Sequence, residues 1–362
     1  MLCSLFDVLA LAFGLACALR LRYRHWLLEA VQAVAFVGAA CTAGGGLLLL
    51  PYGGFGLLRG VSHALFCVSL PVLLVRAVVI RRRAPWLAAA ALLAFVVGEG
   101  IYVFAREVEP FRLEVTRDAV RSPRLGALQR PLRVACVADL QTDRWGPHEV
   151  AAFDAVVAFA PDLVLFLGDY LQVPASERAA LLPLLHEQLA RVDAPLGMFA
   201  VDGDVDASAG GVRSLFEGSA VRVLVDDRVS LPGVPVDLVG LSRLRSRAPF
   251  LDRSVVASLR GERFPIVIGH APDFMLACVR DSLDADALFV AGHTHGGQLQ
   301  VPGFGAPVTF SAVPRWLGSG GVFEHGRTWL AVSRGIGLER GAAPQIRLFC
   351  RPQLMLLELS GR

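Results

Sequence analysis

Residues 133–170, RVACVADLQTDRWGPHEVAAFDAVVAFAPDLVLFLGDY, hold the pattern that decides the fold of this chain. A short apolar run, RVACVADL, is followed by GPHEVAAFDAVVAFA, in which apolar residues recur with helical spacing, and then by a second apolar run, DLVLFLGDY. Apolar runs of this length predict buried strands, and the segment between them predicts an amphipathic helix. The stretch therefore indicates a domain in which strands and helices alternate.

The alternation continues downstream and then gives way mostly to strands. ASERAALLPLLHEQLARV predicts a second helix, and further strands are predicted at LGMFAVDGD, RVLVDD, VDLVGL, FPIVIGH, ALFVAGHTH, TWLAVSR and LMLLEL. Strands with helices between them, followed mostly by strands, predict a layered α/β domain. We assign this domain to residues 131–362, a length that is ample for one hydrophobic core.

The N-terminal part of the chain has a different composition. The whole sequence is 54% hydrophobic, and four apolar runs precede residue 106, each near the roughly 20 residues of a spanning helix: Leu2–Leu19, Trp26–Leu50, Phe55–Ile80 and Trp86–Ala105. A cleaved signal peptide is the competing interpretation of the first run. Its basic residues, RLRYRH, follow the apolar stretch, whereas a signal peptide carries them in front, so an uncleaved helix is favoured. We therefore expect a membrane domain over residues 1–105 and a linker over residues 106–130.

Arginine asymmetry predicts the orientation of these helices. The first and third connections each carry three arginines, whereas the second, PYGGFG, carries no charge. Positively charged loops stay in the cytoplasm, so both termini are expected outside it. The arginines that follow the fourth run argue in the opposite direction. The sequence thus predicts a multi-pass cell membrane protein with its α/β domain on the extracytoplasmic side.

Polar side chains follow the carboxyl ends of five predicted strands. They are Asp139 with Gln141, Asp169, Asp204 with Asp206, His270, and His293 with His295. Open α/β sheets place their sites at these strand ends, and residues i and i+2 of an extended segment point the same way. A single Asp after a strand is usually a turn or helix cap, but five such ends in order predict one site. Mixed carboxylate and imidazole ligands suit Mn, Fe or Zn, and a shared carboxylate could bridge two ions about 4 Å apart.

These motifs resemble those of the calcineurin-like metallophosphoesterases, in particular their membrane-anchored bacterial branch. The family motifs run D-x-H, G-D, G-N-H-[D/E], H and G-H-x-H, and here residues 131–360 contain DLQ, GD, GDVD, GH and GHTH in that order. The extended GHTHGGQ and the downstream SRGIG look like the anchored branch. The resemblance implies a four-layer fold, with two packed mixed β-sheets flanked by helices, around a two-metal centre.

The resemblance also implies ligands for each ion. One ion would be held by Asp139, Gln141, Asp169 and His295, and the other by Asp169, Asp204, His270 and His293. Asp169 would bridge them, and a water between the ions would attack phosphorus. The candidate catalytic residues are Asp169, Asp206 and His293.

Three positions depart from the family pattern. Gln141 stands where a histidine ligand is usual, and its amide oxygen shifts the preference toward harder ions such as Mn. Asp204 replaces an asparagine in a chain that has none. Val205 replaces the catalytic histidine, and removal of such a group lowers the rate by about 10²–10⁴-fold. Hydrolysis is favoured, and a metal-binding membrane protein that senses or scaffolds is the alternative.

The expected partners follow from the anchor and the charge. Several membrane helices favour an amphiphilic phosphoester near the bilayer, such as a phospholipid or a lipid-linked pyrophosphate. A nucleic-acid enzyme would need a basic groove with interleaved aromatics. The only such segment is residues 243–254, RLRSRAPFLDRS, interpreted as a loop cap, so no nucleic acid is expected. The substrate and the oligomeric state stay open at this stage.

Overall fold

A computed structural model describes residues 26–207, 211–281, 283–341 and 343–361, which form two compact units. The first unit comprises the chain up to Val108 together with Glu339–Ile346. The second unit comprises Glu109–Leu338 and the residues from Arg347 onward. The first apolar run and the arginines of the first connection lie outside the described residues.

The described N-terminal segment of the first unit is mostly helical. Helix α1 spans Trp26–His63, a π-helical turn Ala64–Ser69 follows, and the remaining helices are α2, Leu70–Ile80, and α3, Pro85–Val103. Two stretches, Gly54–Ile80 and Pro85–Phe111, are long and apolar enough to cross a membrane. On length and composition alone they are a weak indication of spanning helices.

Helix α1 folds back on itself. A side chain on Gly60 would overlap the carbonyl group of Gly44, and the Cys41 thiol lies 3.9 Å from the carbonyl oxygen of Val61. Residues 16 positions apart in a straight helix are separated by about 24 Å, so the chain must reverse between them. The reversal coincides with the uncharged connection PYGGFG, and the absent side chains of the two glycines let the backbones touch.

The second unit contains two mixed six-stranded sheets. The first has the order β1-β12-β2-β3-β4-β5, with the bounds Glu114–Arg121, Gln353–Ser360, Leu132–Val137, Leu163–Phe166, Met198–Ala200 and Val221–Val223. The second has the order β10-β11-β9-β8-β7-β6, with the bounds Gly321–His325, Thr328–Val332, Ala287–Ala291, Phe264–Ile268, Val236–Gly240 and Asp227–Ser230. In each sheet the central strands β2-β3-β4 and β7-β8-β9 run parallel, because helices or loops return the chain to the same edge.

Packing of these sheets creates four layers. One buried apolar cluster combines Val134 and Leu165 of the first sheet with Leu238, Ile266 and Leu288 of the second. Helices cover the outer face of the first sheet: α4, Pro147–Phe159; α5, Ala175–Ala190; and α6, Gly211–Phe216. Three shorter helices pack on the outer face of the second sheet: α8, Arg253–Leu259; α9, Leu276–Val279; and α10, Arg315–Gly318. Helix α7, Arg243–Ser246, lies in a connection. The two mixed sheets flanked by helices that the resemblance implied are confirmed.

The structure differs from the linker expected over residues 106–130. Strand β1 pairs with β12 along its whole length, from Glu114 opposite Gln353 to Arg121 opposite Ser360. Val120 and Leu125 are fully buried in the core between the sheets. The segment is therefore an edge of the first sheet, and the boundary between the units falls after Val108.

Candidate metal centre

The candidate ligands come from strand ends of both sheets. Two groups form, Asp204–His270–His293 and Asp139–Asp169–His270, and within each group the candidate ligand atoms all lie within 4.8 Å of one another. His270 belongs to both groups. The strand ends predicted from the sequence are thus brought together, with His295 outside these two groups.

The backbone at five candidate ligands is left-handed. The φ values are 47° at Asp139, 35° at Gln141, 57° at Asp169, 70° at His293 and 48° at His295. Sequence reasoning assumed extended backbone for the two i, i+2 pairs. The pairs instead turn sharply as soon as their strands end, a conformation that non-glycine residues adopt rarely and that clusters at functional sites.

Asp169 lies at the centre of these contacts. Its Oδ1 accepts a hydrogen bond of 2.9 Å from the backbone N–H of Val205, and its Oδ2 accepts one of 3.3 Å from Gln141 Nε2. The same Oδ2 lies 3.3 Å from His270 Nε2. Gly203 packs directly against Asp169, and a Cβ at that position would overlap the carboxylate. Asp169 therefore contacts residues of both expected ligand sets.

Asp206 lies beneath the turn that carries Asp169. Its carboxylate is fully buried and accepts backbone hydrogen bonds from Asp169, Gly203 and Tyr170 at 2.8, 2.8 and 3.2 Å. Burial and the neighbouring Asp169 carboxylate raise the pKa of Asp206 to about 6. With both oxygens held by amides, this residue, expected among the catalytic groups, is placed to position Asp169.

His270 is oriented by a backbone carbonyl. Its Nδ1 is 2.9 Å from the carbonyl oxygen of Leu167, so Nδ1 carries the proton and Nε2 is left as the ligating nitrogen. Nε2 lies 3.3 Å from Asp169 Oδ2, 3.5 Å from Asp204 Oδ2 and 3.2 Å from His293 Nδ1. Burial lowers the pKa of His270, but the Asp169, Asp204 and Asp139 carboxylates outweigh it and raise this pKa well above its usual value.

His295 supplies a buried nitrogen that lacks a protein partner. Its Nδ1 is 3.3 Å from Nη2 of the fully buried Arg347, while its Nε2 is buried and makes no hydrogen bond with any residue that the structure describes. Burial, followed by the charge of Arg347, lowers the pKa of His295 well below its usual value. A buried Nε2 that no described residue satisfies marks a position for a further partner such as a metal ion.

Asp139 is also fully buried. Its oxygens accept hydrogen bonds of 3.0 and 2.9 Å from the backbone N–H of His293, and burial raises the pKa of Asp139 to about 8. A buried carboxylate is costly without a cation. The donor chemistry of the whole set, carboxylates with imidazoles and one amide, therefore fits divalent Mn, Fe or Zn.

Two arginines beside the site were missed by sequence reasoning. Arg247 donates to both oxygens of Asp204, and Arg243 Nη1 lies 3.5 Å from Asp204 Oδ1. Burial favours protonation of Asp204, yet hydrogen bonds from His270, His293 and Arg247 hold its pKa well below its usual range. Both arginines lie in RLRSRAPFLDRS, whose basic character was noted and assigned to a loop cap.

Comparison with known proteins yields several relatives. No protein-family model matches the chain. It is 26% identical over 274 residues to the uncharacterised metallophosphoesterase YkuE of Bacillus subtilis, covering 72% of this chain and 91% of the relative. It is 28% identical over 242 residues to the phosphodiesterase YaeI of Escherichia coli, covering 63% and 82%. An uncharacterised metallophosphoesterase of Aquifex aeolicus is 25% identical over 208 residues, covering 56% and 74%.

Proposed function

We propose that this chain is a metal-dependent hydrolase of a phosphate mono- or diester. The relatives described above confirm its resemblance to the calcineurin-like metallophosphoesterases. The observation that carries the proposal is the position of Asp169, which contacts Gln141 of one expected ligand set and His270 of the other. A carboxylate shared in this way suits a two-ion centre.

The ligand sets assigned to the two ions remain those given above, and the buried, unsatisfied Nε2 of His295 supports them. When bound, the ions would acidify a water and polarise the phosphoryl group. The protein residues contribute orientation, since Leu167 fixes the His270 ring and Asp206 fixes the Asp169 turn. Oxygen donors outnumber imidazoles, and one of them is the amide of Gln141, which favours Mn.

We further propose that the substrate is amphiphilic or lipid-linked. The loop after His295–Gly297 carries four exposed apolar side chains: Val301, Phe304, Val308 and Phe310. A fifth, Phe349, follows Leu348, which pairs with Leu299 of that loop. Apolar patches on exposed loops mark surfaces that bind apolar groups or membranes. Because this patch adjoins the histidine loop, it supports a substrate whose apolar part lies beside the phosphate.

The apolar stretches Gly54–Ile80 and Pro85–Phe111 support anchoring in a cell membrane, and the arginine pattern favours an extracytoplasmic second unit. A reporter enzyme that is active only outside the cytoplasm, fused after residue 362, tests this orientation. We expect activity there. Activity of a cytoplasmic reporter at the same position would reverse the orientation.

Val205 favours one alternative, a metal-binding membrane protein without turnover. Its backbone N–H serves Asp169, but its side chain offers no proton donor. Metal analysis of the purified chain, combined with a panel of aryl and alkyl phosphomono- and diesters, decides between the two. Two equivalents of metal and turnover of at least one ester are expected of the enzyme. Full metal content with no turnover of any ester would support the binding protein.

Within the same panel, esters that share a leaving group but differ in acyl length test the lipid part of the proposal. We expect kcat/KM to rise with acyl length. Equal values for short and long chains would remove the apolar patch from substrate binding.

A further inference from the structure

We propose that Arg247 and the Nε2–H of His293 form an anion subsite that receives a non-bridging phosphoryl oxygen of the substrate. This proposal rests on the proposed phosphoesterase function and identifies residues that would replace part of the stabilisation lost at Val205. The ligand is defined by its chemistry, a phosphate oxygen beside the metal centre.

The geometry of Arg247 leaves part of its guanidinium group available. Nε donates to Asp204 Oδ1 at 3.2 Å, and Nη2 contacts both Asp204 Oδ2 and His293 Nε2, the latter at 3.2 Å. Nη1 makes no hydrogen bond to any residue within the described ranges, and the side chain is 40% exposed. Asp204 thus orients the planar group in the two-pronged manner that arginine and carboxylate favour, while one edge stays open to solvent.

The two nitrogens of His293 face different groups. Nδ1 lies 3.2 Å from Asp204 Oδ2 and 3.2 Å from His270 Nε2, so this nitrogen belongs with the candidate ligands. An imidazole that binds a cation through Nδ1 carries its proton on Nε2. Nε2–H and Nη2 of Arg247 then become two donors facing each other, and they need a shared acceptor. A phosphate oxygen is a strong acceptor that, lying to one side of the pair, accepts from both donors.

Charge supports the same assignment. Asp204 adds a negative charge where the family pattern has a neutral amide, and such a charge would repel a phosphate. Arg247 and Arg243 both contact Asp204, so their two positive charges exceed the one that Asp204 adds. The two arginines therefore offset the charge that Asp204 adds, and arginine is suited to binding phosphate because its donors are planar and permanently charged.

The chain offers a matched control two residues before Arg247, on helix α7. Arg245 has a similar exposure, 46%, but it pairs with Asp226 and Asp252 at 3.6 and 3.1 Å, away from the candidate ligands. Loss of its charge alters the charge of this segment by the same amount as loss of the Arg247 charge. A difference between the two variants therefore reports on position and excludes a general charge effect.

Binding of inorganic phosphate to the Mn-loaded full-length protein, measured by calorimetry, tests the proposal without turnover. Loss of a charged hydrogen-bond donor weakens binding by about 10- to 100-fold, so Arg247→Gln should lower phosphate affinity by that factor. Arg247→Lys, which keeps the charge but lacks the fork, should fall between Arg247→Gln and wild type. Arg245→Gln should stay within about twofold of wild type, and metal content should be unchanged in all variants.

Two results would overturn the assignment. One is phosphate affinity of Arg247→Gln equal to that of Arg245→Gln. The other is loss of bound metal from Arg247→Gln, which would limit Arg247 to orienting Asp204. Failure of the enzymatic proposal is distinguishable, because a protein that hydrolyses no ester but binds phosphate through Arg247 would keep the subsite and lose the reaction. Normal hydrolysis together with unchanged phosphate affinity in Arg247→Gln would keep the reaction and remove the subsite.

Discussion

Substitution of Gly203 by alanine should disable the metal centre without altering the fold. The φ angle of Gly203 lies outside the left-handed region, so alanine adds no backbone strain there, and its effect must arise from contact alone. An added Cβ would lie 2.9 Å from Asp169 Cγ and closer still to the Oδ1 and backbone N atoms of that residue. Carbon atoms pack best at roughly 3.5–4.0 Å, so the Asp169 turn must shift by about 1 Å.

A displacement of that size at a catalytic centre costs about 100-fold in rate. We expect Gly203→Ala to retain its far-ultraviolet circular dichroism spectrum, to bind less metal by elemental analysis and to hydrolyse an activated aryl phosphodiester about 100-fold more slowly. Gly261→Ala is the matched control, because the nearest atom to its added Cβ, the carbonyl oxygen of Ser258, is 3.6 Å away. Wild-type metal content and rate in Gly203→Ala would refute the central position given to Asp169.

Four further substitutions test other parts of the structure. Asp169→Ala should lose bound metal more completely than Gln141→Ala, because Asp169 serves both ligand sets; full metal content in both variants would disprove the two-ion centre. Val205→His should raise turnover of alkyl esters more than that of aryl esters, because protonation matters most for poor leaving groups; an equal gain on both would exclude that role. Burial raises the pKa of Asp162, but hydrogen bonds from Arg130 hold this pKa below its usual value. The charged carboxylate therefore stabilises the fold above pH ~4, and this stabilisation is lost as the pH falls through the native pKa. Asp162→Asn should therefore lower the free energy of unfolding by about 1–3 kcal/mol at pH 7, and a urea titration that shows the same loss at pH 3 would contradict the assignment.

Most of the candidate ligands could be found from the sequence because each one directly follows a buried strand. Asp139, Asp169 and His293 follow apolar runs that the structure places in the sheet centres, where every strand residue except Arg133 is buried. The apolar run that predicts the strand and the polar residue that follows it are then neighbours in the sequence. The order of the motifs along the chain supplied the remaining information, since several strand ends on one edge of a layered fold must lie near one another.

Features that depend on distant parts of the chain could not be predicted in this way. Strand β1 alternates mostly partly buried and exposed residues and has no apolar run. It is a strand because it pairs with β12, and its Thr116 accepts a hydrogen bond from Gln353, 237 residues away. Arg247, at the C-terminal end of a four-residue helix, contacts His293, which is 46 residues away in the sequence. The role of Asp206 depends on three amides beneath a turn. In each case the partner, and not the local pattern, decides the structure.

The left-handed backbone at five candidate ligands has a consequence for the lifetime of the protein in a cell. Each such residue costs roughly 1 kcal/mol, so the five together approach 5 kcal/mol, which is comparable with the net stability of a whole domain. Bound metal stabilises the native state by mass action, by about 2.7 kcal/mol at a concentration 100-fold above its Kd. Newly made chains that lack metal would therefore be exposed to proteases, and the abundance of the protein would follow the metal supply of the cell. Pulse-chase measurement of its half-life in metal-depleted and metal-replete cells, with Asp169→Ala as the metal-insensitive control, would detect this dependence, and equal half-lives under both conditions would disprove it.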